Sequence, residues 1–416
     1  MNADLRELVI ESMGAQGDGV AGGVFTALTL PGERVMAAVA GERGDLVEVL
    51  GPSPDRVAPP CPHFGECGGC ALQHWAQGPY LAWKADLIRQ ALGRVRLETE
   101  ILPPYEAPAD SRRRLALHAR RIDGRVCVGL KARRSWRLSA IDACRVAEPG
   151  LISALPAMAA IAEPFLAHPK SAPTLHVTST LTGLDIDITG VERRSGGPSA
   201  GARRRAAEAA TRADIARVTL AGEVVYQSRA PQVRFGAATV ALPPGAFLQA
   251  VAAAEQAMVD FAVQAAAGAR RIADLYCGAG AFTFPLARVA PVIAADVSAS
   301  AVEALARAVA TAPGLKSITA WARDLDRRPL LASHDLAGLD VVVIDPPRAG
   351  AEVQHREIAR SACARVVGVS CNPATFARDA RILADGGFKL ERVLPVDQFL
   401  WSPHIELVGL FSREDH

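Results

Sequence analysis

The sequence predicts an α/β protein in three parts: a small N-terminal β-barrel, a central mostly β domain, and a C-terminal domain built on a doubly wound parallel sheet. Short apolar runs separated by glycine and charge dominate the chain up to about residue 245, which is typical of β-strands joined by turns. From about residue 246 the apolar runs alternate with helical patterns. That alternation indicates parallel strands covered by helices on both faces.

Length and composition limit the class of protein. A chain of 416 residues suits two or three domains, and a composition that is 50% hydrophobic and 22% charged excludes a disordered chain. A net charge of +2 excludes a general polycation, so any nucleic-acid surface must come from local clusters of arginine. No apolar stretch reaches the roughly 20 residues of a membrane span. We expect a soluble, cytoplasmic, monomeric protein without a membrane partner.

The domain boundaries follow the strand patterns. Residues 1–57 contain runs such as ERVMAAVAG and GDLVEVLG, which suit a small barrel. Residues 58–245 begin with a cysteine-rich segment and a helical stretch, and continue with strand patterns such as LALHARRI, TLHVTSTL and GLDIDITG. Residues 246–416 form the predicted doubly wound domain, in which ligands bind at the carboxyl ends of the strands.

The first two strands of that domain end in a candidate cofactor site. Gly278 and Gly280 follow the run RRIADLYC and form a turn where a backbone can approach a ligand closely. The third glycine of the dinucleotide fingerprint is absent, which disfavours NAD. Asp296 ends the next run, where a carboxylate can accept the ribose hydroxyls of an adenosine-bearing cofactor. The alternative role for Asp296 is a helix N-cap.

The next two strands end in candidate catalytic loops. Asp345-Pro346-Pro347-Arg348 follows the run LDVVVI, and Ser370-Cys371-Asn372-Pro373 follows the run CARVVGV. Neighbouring parallel strands lie about 4.8 Å apart, so the two loops can share one crevice. Cys371 precedes a predicted helix, whose dipole favours a thiolate. The sequence therefore predicts a nucleophilic cysteine beside a carboxylate.

Four segments carry a resemblance to a known family. They are Asp274-Leu-Tyr-Cys-Gly-Ala-Gly, Asp345-Pro-Pro-Arg, Ser370-Cys-Asn-Pro-Ala-Thr-Phe-Ala-Arg-Asp379 and His404-Ile-Glu406. In order and spacing they resemble the RNA 5-methyluridine methyltransferase family. The resemblance implies a Rossmann-like class I methyltransferase domain that uses S-adenosylmethionine to methylate carbon 5 of a uracil in RNA.

The resemblance also implies a role for each site residue. Cys371 would be the nucleophile that adds to carbon 6, Glu406 the base that removes the carbon 5 proton, and Asp345 the group that holds the uracil edge. The alternative for Glu406, on pattern alone, is the solvent face of an edge strand. The implied cofactor-binding residues are Gln249, Tyr276, Gly278, Gly280, Asp296 and Asp345. This sequence departs from the family at Val251, where Asn is usual, and at Asp296, where Glu is usual.

A second group of cysteines has the spacing of a metal site. Cys61, Cys67 and Cys70 lie close together, and Cys144 follows after a β segment. Four thiols of this kind suit either zinc or an iron–sulfur cluster. The context CGGC-ALQH resembles the cluster-bearing branch of the same family, which implies a structural [4Fe-4S] cluster and 23S ribosomal RNA rather than transfer RNA as substrate.

The RNA surface is predicted from basic clusters in the central domain. Phosphate binding needs such clusters, and an exposed aromatic ring such as that of Trp136 can stack on an unpaired base. The clusters are Arg112–Arg114, Arg120–Arg121 and Lys131–Arg137. The N-terminal barrel resembles the OB-like TRAM RNA-binding module. Two other functions remain open: a cytosine-5 methyltransferase, and an iron–sulfur RNA-binding protein without catalysis.

Overall fold

The computed structural model describes residues 4–168, 170–192 and 197–413. Residues 1–3 of the predicted barrel, 169 and 193–196 of the predicted central domain, and 414–416 of the predicted C-terminal domain lie outside the described residues.

The N-terminal strands form a closed barrel. They are β1 (Asp4–Val9), β2 (Ser12–Met13), β3 (Gly19–Ala21), β4 (Val24–Thr26), β5 (Arg34–Ala40) and β6 (Arg43–Gly51), in the sheet order β1-β5-β6-β4-β3-β2. The two outermost strands in this order, β1 and β2, follow each other directly in the chain. One continuous segment therefore pairs with both β5 and β3, and the sheet closes on itself. Ile10, Ala21 and Val35 fill the interior.

A long helix and two short strands follow the cysteine-rich segment. They are α1 (Gln77–Arg94), β7 (Glu100–Ile101) and β8 (Tyr105–Glu106).

The central domain is a seven-stranded sheet with helices on one side. Its strands are β9 (Arg114–Ile122), β10 (Arg125–Lys131), β11 (Leu138–Ala140), β12 (Thr174–Thr180), β13 (Gly183–Thr189), β14 (Arg217–Leu220) and β15 (Glu223–Gln227), in the order β11-β10-β9-β12-β13-β14-β15. All pairs are antiparallel except β13 with β14. The helices are α2 (Pro149–Ser153), α3 (Leu155–Ala162), a 3₁₀ turn (Glu163–Leu166) and α4 (Ala200–Arg212).

The C-terminal domain is preceded by a hairpin, β16 (Gln232–Phe235) and β17 (Ala238–Ala241). Its strands are β18 (Ile272–Leu275), β19 (Val292–Asp296), β20 (Ile318–Ala322), β21 (Val341–Ile344), β22 (Arg365–Ser370), β23 (Lys389–Asp397) and β24 (Glu406–Ser412). Its helices are α5 (Ala252–Ala265), α6 (Thr283–Leu286), α7 (Ala299–Val309), α8 (Glu352–Arg360) and α9 (Pro373–Asp385).

The sheet order of this domain fixes where its ligands lie. The order is β20-β19-β18-β21-β22-β24-β23-β7, with β20 to β22 parallel and β24 antiparallel to both neighbours. Strand order reverses between β18 and β21, and a crevice opens at the carboxyl ends of the strands at such a point. The loops after β18, β19, β21 and β22 therefore surround one crevice, as the sequence predicts.

The packing differs from the predicted boundaries at 58 and 245. Strands β7 and β8 pair with β23, and Ile88 of α1 belongs to the same core as Leu383 and Val393. The hairpin places Phe235 against Phe284. The segments 77–106 and 232–241 thus belong structurally with the C-terminal domain. A two-residue strand has no periodicity that sequence alone could assign to a sheet.

One apolar cluster joins the barrel to the catalytic half of the molecule. It brings together the barrel, the segment after Cys70, α1 and the loop before β24, through Leu30, Ala71, Leu72, Trp75, Tyr80, Trp83 and Leu400. Among the described residues, no helix is long and apolar enough to cross a membrane.

Candidate active site

The glycine turn after β18 has the backbone that the sequence predicts. Gly278 and Gly280 have φ angles of 52° and 104°, in the left-handed region. A Cβ on Gly280 would lie 2.6 Å from the Phe284 ring, whereas a Cβ on Gly278 would meet no atom within 4 Å. Gly280 is thus required for close packing, and Gly278 faces open space at the crevice.

Asp296 holds this turn from the end of β19. Its carboxylate accepts hydrogen bonds from the Gly278 N–H at 2.9 Å and from the Ser298 N–H at 2.7 Å. The N-cap of α7 is Ser298, whose hydroxyl accepts the Ala301 N–H. The helix-cap alternative for Asp296 is therefore wrong, and its carboxylate lies at the glycine turn.

Two more polar side chains complete the cofactor end. Tyr276 adopts a φ of 61° and donates its hydroxyl hydrogen to Asp326 at 2.8 Å. Asp274 is fully buried and accepts from Thr283, but its Oδ1 has no partner among the described residues. Burial raises the pKa of Asp274 to about 7, so this carboxyl holds a proton more readily than an exposed one.

A buried chain of side chains links Asp345 to Glu406. Gln249 donates its amide hydrogen to Asp345 at 3.2 Å. Gln398 donates to Gln249 Oε1 at 2.8 Å and to Glu406 Oε1 at 3.0 Å, while its own Oε1 accepts the Ala250 N–H at 3.1 Å. Gln398 was not predicted from the sequence, because no local pattern distinguishes an inward-facing amide at the end of a strand.

Glu406 lies inside the sheet. It begins β24, which runs between β22 and β23, and it is only 4% exposed. The edge-strand alternative is therefore wrong. Burial and the nearby Asp345 raise the pKa of Glu406 to about 8, against the hydrogen bond from Gln398, and Oε2 has no partner among the described residues. Burial likewise raises the pKa of Asp345 to about 7.

Cys371 faces the same carboxyl groups. It is half-buried between β22 and α9, whose N-cap is Asn372. Burial, then Glu406 and Asp345, raise the pKa of Cys371 to about 11, while Arg348 opposes them. The helix dipole, which favours a thiolate at this position, is therefore outweighed by burial and the two carboxyl groups.

An open cavity of about 700 Å³ lies beside Cys371. Its wall includes Gln16 from the barrel, Arg94 from α1, Arg348 after β21 and His404 before β24. The barrel, α1 and the C-terminal domain, which are distant in sequence, thus all contribute to the cavity beside the thiol.

Comparison with known proteins decides the family. A family model described as tRNA (Uracil-5-)-methyltransferase matches residues 209–414. A protein of Caulobacter vibrioides, named as an uncharacterized RNA methyltransferase, is 64% identical over 98% of this chain and 100% of its own length. The 23S rRNA (uracil(1939)-C(5))-methyltransferase RlmD of Alkalilimnicola ehrlichii is 31% identical over 98% of this chain and 96% of its own. The chain belongs to the RNA uracil-5-methyltransferase family. The predicted family and enzyme class are confirmed.

The fold comparison agrees. The crystal structure of Pyrococcus abyssi tRNA (uracil-54, C5)-methyltransferase in complex with S-adenosyl-L-homocysteine matches with a TM-score of 0.76 and 22% identity, over 98% of this chain and 100% of that one. The predicted fold class is therefore confirmed.

In this uracil-5-methyltransferase the four predicted ligand cysteines line one cavity of about 350 Å³: Cys61, Cys67, Cys70 and Cys144. Burial raises the pKa of Cys67 and raises the pKa of Cys70 to about 12, and Cys61 and Cys144 add to both increases. Among the described residues, however, no group of three or more His, Cys, Asp or Glu side chains is arranged to hold a metal ion. The metal group stays a prediction.

The arginines nearest the active site have a different role from the predicted one. Arg113 is 8% exposed and binds the Gln249 carbonyl at 3.0 Å and Glu255 at 2.7 Å. Arg114 binds the Leu248 carbonyl at 2.5 Å. These two side chains hold the loop that carries Gln249, so their assignment to RNA phosphate is wrong.

The second basic cluster is divided between two roles. Arg133 and Arg134 bind Asp18, a barrel residue that is 1% exposed, and so attach the barrel to the central domain. Trp136 is 81% exposed, with the Lys131 ammonium 3.9 Å from its ring centre. Of these residues, Trp136 has the exposure that stacking on RNA requires.

Proposed function

We propose that the protein methylates carbon 5 of one uridine in RNA, with S-adenosylmethionine as methyl donor and 23S ribosomal RNA as substrate. The observation that carries the proposal is the convergence of three groups on one crevice. Gln249 and Gln398 join Asp345 to Glu406 by hydrogen bonds, and Cys371 follows Ser370, whose strand partner Leu407 follows Glu406. A nucleophile, a base and a second carboxyl group are the set that this reaction needs.

The glycine turn suits the cofactor. Gly278 faces open space, and the carboxylate of Asp296 lies at the same turn. Tyr276, Gly280, Gln249 and Asp345 would complete the binding site, and S-adenosylmethionine supplies the methyl group when bound.

The chain's own residues would carry out the remaining steps. Once its proton is removed, Cys371 forms a bond from sulfur to carbon 6 of the uracil, and the electron pair of the C5–C6 bond moves to carbon 5 and the adjoining carbonyl. That pair would form the new bond to the methyl carbon while the bond from this carbon to the donor's sulfur breaks, with its electrons left on the sulfur. Glu406 then takes the carbon 5 proton, the C5–C6 double bond returns, and the C6–S bond breaks. Asp345 holds the edge of the base.

The pKa of Glu406 fits this role. A general base works best when its pKa lies near the working pH, and burial brings that of Glu406 to about 8. The raised pKa of Cys371 means that attack is coupled to proton removal, so adduct formation should accelerate with pH.

We also propose a [4Fe-4S] cluster at the four-cysteine cavity. Zinc holds its sulfurs about 2.3 Å from one point, whereas a cluster spreads four thiolates around a larger body. Four thiols around one cavity supply the number of ligands that such a cluster needs. The segment after Cys70 packs into the apolar cluster with Trp83 and Leu400, so the role would be structural.

Two substitutions test the mechanism by the species that each leaves behind. Cys371→Ala should bind RNA and form neither adduct nor product. Glu406→Gln should attack and transfer the methyl group and then stop, leaving enzyme covalently joined to methylated RNA as a slow band on a denaturing gel. An adduct formed by Cys371→Ala, or normal turnover by Glu406→Gln, would remove the mechanism.

The same trapped adduct identifies the RNA. The Glu406→Gln enzyme is mixed with 23S ribosomal RNA and with transfer RNA, and the captured RNA is sequenced. Capture of 23S RNA would support the proposed substrate, which is the RNA named for the 31% identical relative. Capture of transfer RNA alone would make transfer RNA the substrate instead.

A further inference from the structure

The cavity beside Cys371 contains two arginines without partners. Arg94 lies in the last turn of α1, and Arg348 follows β21. Both are exposed. Within 4–168, 170–192 and 197–413, neither guanidinium makes a hydrogen bond or an ion pair. Other arginines around the site, such as Arg113, are bound to carboxylates. Two unpaired guanidinium groups in one concave site favour an anionic ligand.

The rest of the wall is polar and held in place. Gln16 and Gln90 contribute amide groups that bond to no other described residue. Gln16 sits in a barrel turn closed by hydrogen bonds from Gly17 N–H to Gly14 and from Gly14 N–H to Asp18, both 2.8 Å. Asp18 is itself fixed by arginines of the central domain. The lining contains no acidic residue, so nothing in the wall repels phosphate.

The cavity is open to solvent beside the Cys371 thiol. Any RNA that delivers a uracil to Cys371 carries phosphates on both sides of that nucleotide. The nearest unpaired cations on the cavity wall are Arg94 and Arg348.

We propose that this cavity binds the RNA strand next to the target uridine, with a phosphate group held between Arg94 and Arg348. This inference rests on the proposed reaction at Cys371. The barrel turn at Gln16 closes the cavity over the strand, so the site is complete only when the barrel is docked.

The test measures RNA binding separately from methylation. Arg94→Gln and Arg348→Gln are made in the Cys371→Ala enzyme, which cannot form the adduct, and binding to single-stranded RNA that contains the target uridine is measured across salt concentrations. Each substitution should weaken binding about tenfold and make the slope of log affinity against log salt shallower by about 0.7, the value for one lost phosphate contact on a single strand.

Arg96→Gln is the matched control. Arg96 is exposed, lies just beyond Arg94 and does not line the cavity. It should leave affinity and slope unchanged. Equal affinities and salt slopes for all three variants would overturn the phosphate site. Weaker RNA binding by Arg94→Gln and Arg348→Gln without a change in the salt slope would overturn it as well. Failure of the wild-type enzyme to methylate any RNA would instead remove the proposed function, while the binding comparison would still decide the phosphate site.

Discussion

Gln398 offers a direct test of how the base is tuned. Its amide donates to Glu406 and Gln249 and accepts the Ala250 N–H, all within a buried site. Gln398→Met keeps a similar length and removes all three hydrogen bonds. Since the Gln398 hydrogen bond is the interaction that lowers the pKa of Glu406, that pKa should rise further above about 8.

The size of the change follows from the bond that is lost. A hydrogen bond to a charged group contributes about 1.5–3 kcal/mol, and one pKa unit equals about 1.4 kcal/mol. The pKa of Glu406 should therefore rise by about one to two units. A base acts when deprotonated, so the active fraction at pH 7 should fall about tenfold to a hundredfold, and the rising limb of the pH profile should move to higher pH.

The assay follows the proton that Glu406 is proposed to remove. Release of tritium from carbon 5 of labelled uridine in RNA is measured in single turnovers from pH 6 to pH 10. Wild-type release should be half-maximal near pH 8, and the midpoint for Gln398→Met should lie about one to two units higher. Gln256→Met, an exposed change on α5, serves as the control. A profile that is lowered equally at every pH, or an unchanged one, would refute the reasoning.

Four further measurements test the structure. The raised pKa of Glu406 stabilises the folded protein at low pH, and this contribution is lost as the pH rises through about 8. The melting temperature of Glu406→Gln, relative to that of the wild type, should therefore increase from pH 5 to pH 9. A difference in melting temperature that stays constant with pH would contradict this. Asp296→Ala should weaken S-adenosylmethionine binding by about 1–3 kcal/mol in calorimetry, and unchanged affinity would limit Asp296 to shaping the turn. Lys84→Met leaves the buried Asp397 without its ion-pair partner, so the free energy of unfolding measured with denaturant should fall by about 3–5 kcal/mol. The double variant Lys84→Met, Asp397→Leu should lose less, and a larger loss in the double variant would contradict this explanation. Anaerobically purified wild type should be brown and Cys67→Ser colourless with lower soluble yield, whereas colourless wild type with one zinc would exclude the cluster.

Local sequence patterns predict the crevice and most of the residues around it. Apolar runs that end in Asp274, Asp296, Asp345 and Cys371 encode strand ends locally, and parallel strands bring such ends to one edge of a sheet. Glycine at 280 was readable for the same reason, since a left-handed turn between strand and helix is a local requirement. The three closely spaced cysteines and the distant Cys144 were likewise identified from the sequence as candidate metal ligands.

The hydrogen bonds and the pKa values of these groups depend on contacts between segments that are distant in the chain. Gln398 and Gln249 are 149 residues apart in the chain, yet they form one hydrogen-bonded path to Glu406. The reversal at Cys371, from an expected thiolate to a raised pKa, has the same origin. Helix dipoles are encoded locally, but desolvation and the approach of two carboxyl groups depend on how distant segments pack. Arg113 bears this out, because its charge suggested RNA binding and its burial against Glu255 assigns it to the interior.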